Sequence, residues 1–131
     1  MIELELPWPP SVNNYKKVGK IVKTKSGKLY QQRVNSNETK TYYYQVYMLS
    51  RKFVPEIWRK ETYLETTKYR LVVTLFPAYR HRFDIDNLLK VLCDSLTRAK
   101  IIYDDSQIYE LFIEKKEVGK GIALTQISVI N

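Results

Sequence analysis

Asp84-Ile85-Asp86-Asn87-Leu88-Leu89-Lys90 and, further on, Asp104-Asp105-Ser106-Gln107 put four carboxylates and a lysine into one short part of the chain. Carboxylates are otherwise scarce, 14 against 22 Lys and Arg, so their concentration needs a cause. Crowded carboxylates repel one another unless a cation sits among them. Mg²⁺ is such a cation, and it takes only one or a few carboxylates, filling its shell with waters and substrate phosphates. An acidic knot in a basic protein is what metal-dependent cleavage of a nucleic acid requires.

The spacing supports convergence. Asp84 and Asp86 are two apart across a loop-to-helix junction, so both can face one ion. Asp86 and Lys90 are four apart, on neighbouring turns of one helical face, and Asp94 is four further on. Asp104-Asp105 follows that helix and precedes a strand. A strand placed beside Phe76 would return this turn to the start of the helix. Each piece also has an ordinary structural reading. An Asp at a helix N-terminus is a common cap. Asp86 with Lys90 makes a surface ion pair worth under about 1 kcal/mol. Asp104-Asp105-Ser106 makes a turn. The conjunction favours chemistry. His81 and Cys93 are the only residues of their types, which gives little basis for a Cys/His zinc site or a Ser-His-Asp triad.

The elements that must position these residues follow from patterning. Ile2, Leu4 and Leu6 alternate with Glu3 and Glu5 as in a half-buried strand, ended by Pro7-Trp8-Pro9-Pro10. Residues 18 to 34 form a hairpin with its turn near Lys25-Ser26-Gly27. Ser36 or Asn37 caps a helix over about 37 to 53, with Tyr43, Val46, Tyr47, Ser50 and Phe53 as its core stripe. Pro55 helps to end it. Arg70 to Phe76 is almost continuously apolar, as in a central strand, and Pro77 stops it. A second helix buries Ile85, Leu88, Leu89, Leu92, Cys93 and Leu96 on one face. Strands over Ile108 to Lys115 and Gly121 to Ile130 follow. Trp8 and Trp58 are expected in the core.

The length of 131 residues suits one domain with one core, and an apolar fraction of 44% excludes a disordered chain. No apolar run approaches a membrane span. Met1-Ile2-Glu3-Leu4-Glu5 lacks the basic start and apolar core of a secretory signal. The lone cysteine excludes an internal disulfide and suits a reducing cytoplasm. The net charge of +8 attracts polyanions, of which nucleic acid is the usual one. Lys16, Lys17, Lys20, Lys23, Lys25, Lys28 and Arg33 crowd the hairpin, and Arg80 and Arg82 flank His81 just before Asp84. Lys23, Lys25, Lys28, Arg80 and Arg82 are the candidate DNA contacts. The competing reading of the Lys-rich segment is a solvated basic loop.

The chain resembles the RusA family of Holliday-junction resolvases. The likeness lies in Leu6-Pro7-Trp8-Pro9-Pro10-Ser11-Val12-Asn13-Asn14, in Asp84 to Lys90 with Asp94, and in Asp104-Asp105-Ser106-Gln107-Ile108. Lys16 to Arg33 and Pro55 to Thr67 look longer than in a minimal member. The resemblance implies a small single α+β domain over residues 1–131, a mixed sheet packed against two main helices, working as a homodimer. It implies a Mg²⁺-dependent endonuclease of four-way DNA junctions, with Mn²⁺ as the alternative ion, in a bacterial or phage setting. Asp84, Asp86 and Asp105 match the family's metal-binding, catalytic aspartates, and Lys90 its catalytic lysine. Asp94 and Asp104 would orient these groups or stabilise the fold. Two other readings compete. One is a nuclease of broader branched or flap DNA. The other is a non-enzymatic basic DNA-binding module, which leaves the acidic cluster unexplained.

Overall fold

The computed structural model describes residues 1–11 and 16–131, with side chains described throughout except at 16–22 and 30–35. Val12-Asn13-Asn14 of the family-like segment lies outside the described residues, as do the side chains of Lys16, Lys17, Lys20 and Arg33.

Four strands make a mixed sheet. Strand β1 (Ile2–Pro7) begins the chain, and a separate antiparallel hairpin follows, β2 (Lys16–Lys23) and β3 (Leu29–Asn35). Helices α1 (Asn37–Phe53) and α2 (Glu56–Thr62) lead to strand β4 (Tyr69–Phe76) and helix α3 (Ile85–Arg98). Strands β5 (Ile108–Lys115) and β6 (Ile122–Val129) complete the order β1-β6-β4-β5. Strand β6 is antiparallel to both its neighbours, while β4 and β5 are parallel, with Tyr69 opposite Ile108.

Alternation sets the core. Ile2, Leu4 and Leu6 of β1, Ala123, Thr125 and Ile127 of β6, and Tyr69, Leu71, Val73 and Leu75 of β4 are buried. Strand β4 is central, yet Val72, Thr74 and Phe76 between its buried residues are only half-buried. Its apolar run suggests burial on both faces, but only one face is fully covered.

Helix α1 starts where expected. The Ser36 Oγ accepts from the Thr39 N–H at 3.2 Å, with Glu38 in the first turn and Arg51 and Lys52 in the last. Its buried stripe is Thr39, Tyr42, Tyr43, Val46 and Ser50, so the predicted Tyr47 and Phe53 are instead exposed. Arg51 covers the Tyr47 ring at 4.6 Å. The Tyr42 hydroxyl, its pKa raised by burial, donates to the Pro7 carbonyl at 3.0 Å and ties α1 to β1. Helix α2 is unannounced in the sequence because seven residues are too few to show a period. It buries Trp58, whose indole N–H donates to the Ile101 carbonyl at 2.9 Å.

Helix α3 buries Leu88, Val91, Leu92, Ser95 and Leu96. Leu89 and Cys93, expected in that stripe, lie at its half-buried margin, and Val91 and Ser95 take their share of the core. Its end is closed by two reversed hydrogen bonds, Ile101 N–H to Leu96 O at 3.0 Å and Lys100 N–H to Thr97 O at 3.1 Å. Lys100 supplies the left-handed residue, φ 57°, that this closure needs and that glycine usually provides. The buried Leu96, Ile101 and Ile102 side chains hold the reversal, and it delivers the chain to Asp104. Gln107 then pins the acidic turn. Its buried amide donates to the carbonyls of Leu64 at 2.8 Å and Thr67 at 2.7 Å. Among the described residues no helix is long and apolar enough to cross a membrane.

Candidate active site

The first turn of α3 carries Asp84 and Asp86, both exposed. Asp84 occupies the N-cap position in an extended conformation, but its carboxylate accepts no capping bond from the helix backbone. It accepts instead from the Asn87 side-chain amide at 3.2 Å. The ordinary capping role is therefore not the one Asp84 performs.

One turn further on, Lys90 is paired with Asp94, Nζ to Oδ1 at 3.0 Å, rather than with Asp86 as the spacing suggested. Both pairings are four residues apart, and the one toward the C-terminal carboxylate is made. Lys90 stays half exposed, and Asp94 is the more buried partner. A hollow of about 410 Å³ opens beside them, lined by Asp86, Leu89, Lys90, Cys93, Asp105 and Leu111. Asp86, Lys90 and Asp105, drawn from two elements, thus share one surface. The route differs from the expected one. Strand β5 runs parallel to β4 with Ile108 opposite Tyr69, so the acidic turn sits level with the start of β4, not with its Phe76 end.

The two neighbouring aspartates of that turn do different work. Asp104 caps the short 3₁₀ turn Asp105–Gln107, accepting from the Ser106 N–H at 3.1 Å and from the Ser106 hydroxyl. These bonds lower its pKa, the hydroxyl bond contributing most. With Asp104 engaged, Asp105 is the carboxylate that borders the hollow. Cys93 forms part of the hollow's floor. Burial first, then the charges of Asp105 and Asp94, push its thiol up to about 12, so it is neutral at any working pH.

Among the described residues no three His, Cys, Asp or Glu side chains gather into a group that could by itself hold a metal. Asp84 borders a different hollow, on the other side of the same helical turn. The donor chemistry nonetheless fits a hard divalent ion. The donors are oxygens only, and Mg²⁺ ordinarily needs one or two carboxylates beside waters and phosphates. Asp86 and Asp105 are two carboxylates on one hollow.

The hollow bordered by Asp84 holds about 580 Å³ and is lined in part by Trp8, Glu38, Tyr79, His81 and Phe83. Its rings form a stack. Tyr79 and His81 are 4.5 Å apart by ring centre, His81 and Phe83 5.0 Å, and Trp8 meets Phe83 edge-on at 4.9 Å. Trp8 is half-buried against the core rather than within it, unlike Trp58. The ring cluster and Asn87 are absent from the sequence-derived candidates. The alternation Tyr79-Arg80-His81-Arg82-Phe83 was the signal, since every second residue of an extended segment shares a side.

The candidate DNA contacts are placed separately. Lys23, Lys25 and Lys28 are exposed on the β2–β3 turn, which closes through Thr24 N–H to Lys28 O at 2.8 Å and Gly27 N–H to Thr24 O at 2.9 Å. Gly27, with φ 86°, supplies the left-handed residue of this turn. Arg80 and Arg82 are exposed beside the ring stack.

A family model described as Endodeoxyribonuclease RusA matches residues 7–129 and so takes in both acidic segments. No curated protein matches the chain.

Proposed function

The chain belongs to the RusA endodeoxyribonuclease family, and from that footing we propose that it is a divalent-metal-dependent endonuclease cutting four-way DNA junctions as a homodimer. The observation that carries this reading is the hollow shared by Asp86, Lys90 and Asp105 on a chain of net charge +8. Carboxylates facing a polyanion are unfavourable unless an ion lies between them. Asp86 and Asp105, with Asp84 from the adjoining turn, would hold Mg²⁺, and Mn²⁺ suits the same oxygens. When bound, such an ion polarises the scissile phosphate and lowers the pKa of a water.

The residues of the chain do the rest. Lys90 presents a half-exposed ammonium to the hollow and offsets charge growing on the phosphate. Asp94 holds that ammonium from behind as a positioning residue. Leu89 and Leu111 give the hollow apolar walls, which strengthen every charge interaction within it. Cys93, kept neutral, adds no competing anion. A four-way junction is cut on two opposing strands, and a two-fold dimer carries two such hollows.

The test compares a synthetic four-way junction, a flap and a linear duplex, each with and without Mg²⁺. Paired, metal-dependent nicks on opposing strands of the junction are expected, with little cutting of duplex. Equal cutting of flap and junction would replace this reading with a broader branched-DNA nuclease. Salt-sensitive binding without cutting would replace it with a DNA-binding module.

The basic turn gives a separate expectation. Junction affinity should fall steeply with salt as phosphate contacts release counterions, by a slope of about 0.9 per contact. Replacing Lys23, Lys25 and Lys28 together by glutamine should flatten that slope by about 2 to 3. An unchanged slope would return the turn to the role of a solvated loop.

A further inference from the structure

The nuclease reading takes Asp84 as a ligand adjoining the acidic hollow and leaves the ring stack on its other side without a task. The hollow bordered by the stack is the larger of the two that flank the first turn of α3. Asp84 and Asn87 border it on one side of the turn, while Asp86 and Lys90 border the acidic hollow on the other. The ring-lined hollow and the acidic hollow are thus separated by one helical turn.

The rings are held as a surface and not as loose side chains. Phe83 is locked twice by Lys115, whose ammonium donates to the Phe83 carbonyl at 2.5 Å and covers its ring at 4.4 Å. Trp8 packs edge-on to Phe83 at 4.9 Å and to His81 at 5.9 Å. The His81 Nδ1 lies 2.8 Å from the Tyr79 carbonyl, which can only accept, so that nitrogen carries the proton and the ring is fixed in orientation. Tyr79 closes the stack and is 65% exposed. Among the described residues the only ring that packs against Tyr79 is His81, so this large ring at the end of the stack offers a π-face. Every nucleobase has a matching face, and stacking on an aromatic side chain is sequence-tolerant. Arg82 and Glu38 give the rim polar groups for the base edge.

We propose that this hollow receives one unstacked nucleobase of the strand being cut, laid against Tyr79. The proposal rests on the nuclease reading for its strand. It adds a binding subsite that the acidic residues do not require. An unpaired or strained base, as at a branch point, is cheap to extract from its stack. The subsite would thus favour branched over linear DNA by holding what the branch has already loosened.

The test is an abasic scan without divalent cations, so that binding is read without cutting. Each nucleotide within a few positions of the branch is replaced in turn by an abasic residue. Junction affinity is measured for the wild type, Tyr79→Ala and Tyr79→Phe. At one position the abasic junction should bind the wild type on the order of 10-fold more weakly, the scale of one base stacked on a side chain. Tyr79→Ala should show no such penalty there, and Tyr79→Phe should keep it. Removing an exposed ring leaves the core intact, which an unchanged melting temperature would verify. Equal penalties in the wild type and Tyr79→Ala at every position would overturn the proposal. Loss of the penalty in Tyr79→Phe as well would also overturn it, since the hydroxyl and not the ring face would then be responsible. Cutting of the unmodified junction in Mg²⁺, measured alongside, separates the two readings. Cutting without coupling removes the subsite alone, whereas coupling without cutting removes the nuclease reading and leaves a base-binding surface.

Discussion

Asp86→Asn, Asp105→Asn and Asp84→Asn are each expected to reduce junction cleavage below detection while leaving junction binding intact or tighter. Few protein ligands serve an ion of this kind, so losing one carboxylate disables it. Binding survives because each change removes a negative charge that would otherwise face phosphate. The asparagine side chain has nearly the same shape, and the Asp84 and Asp86 side chains are exposed, so the fold should be unaffected. Asp104→Asn supplies the contrast. Its carboxylate is engaged by Ser106 in the 3₁₀ turn, so cleavage should fall only modestly. Single-turnover cleavage and junction affinity, measured for all four variants, decide the matter. Near wild-type cutting by any of the first three would remove that residue from the ligand set.

The second large effect is expected at Lys90. If Lys90 served only as a surface partner of Asp94, Lys90→Ala would cost little, and Lys90→Arg almost nothing. As a preorganised cation beside the scissile phosphate it should matter far more. Lys90→Ala should slow the chemical step on the order of 10²-fold or more, the scale found for other fixed charge donors. Lys90→Arg should recover little, because a planar guanidinium places its charge differently from a compact ammonium. Asp94→Asn should fall between these and the wild type, since it loosens the lysine without removing it. Single-turnover rates at saturating enzyme isolate this step, and melting temperature and junction affinity should stay near wild type throughout. A Lys90→Ala protein that cuts normally under those conditions would end the catalytic assignment.

Much of this was legible in the chain because local rules dominated. Strict alternation in Ile2-Glu3-Leu4-Glu5-Leu6, the Ser36 cap and the helical period from Leu88 to Leu96 each answer to a few neighbouring residues. The misplacements are tertiary. Tyr47 and Phe53 fit the period of α1 but fall off the arc that meets β1 and α3, so they remain in solvent. Trp58 needed a short helix to reach the Ile101 carbonyl, and no periodicity announces seven residues. The choice of Asp94 over Asp86 by Lys90 is beyond spacing, because both partners sit four residues away. Spacing does not separate Asp104 from Asp105, which are adjacent and identical, and only the family resemblance singled out Asp105. Only the turn geometry gives one of them to Ser106 and the other to the hollow.

The sheet order also bears on when the protein can begin to act. Strand β6 fills the place between β1 and β4, so Ile2 must find Ile127 and Leu6 must find Ala123. These pairings span nearly the whole sequence, and such a topology has high contact order and folds slowly, since a long loop must close before its contacts stabilise anything. During synthesis the first strand has no sheet neighbour until residues 122–129 leave the ribosome. Before then β4 has only its parallel partner β5, and a two-stranded ribbon is marginal in water. Helix α3 therefore lacks a finished floor, and Asp86 and Asp105 have no reason to stay together. Asp84, Asp86 and Asp105 are made before β6, but the sheet beneath their shared surface is complete only once residues 122–129 have joined it.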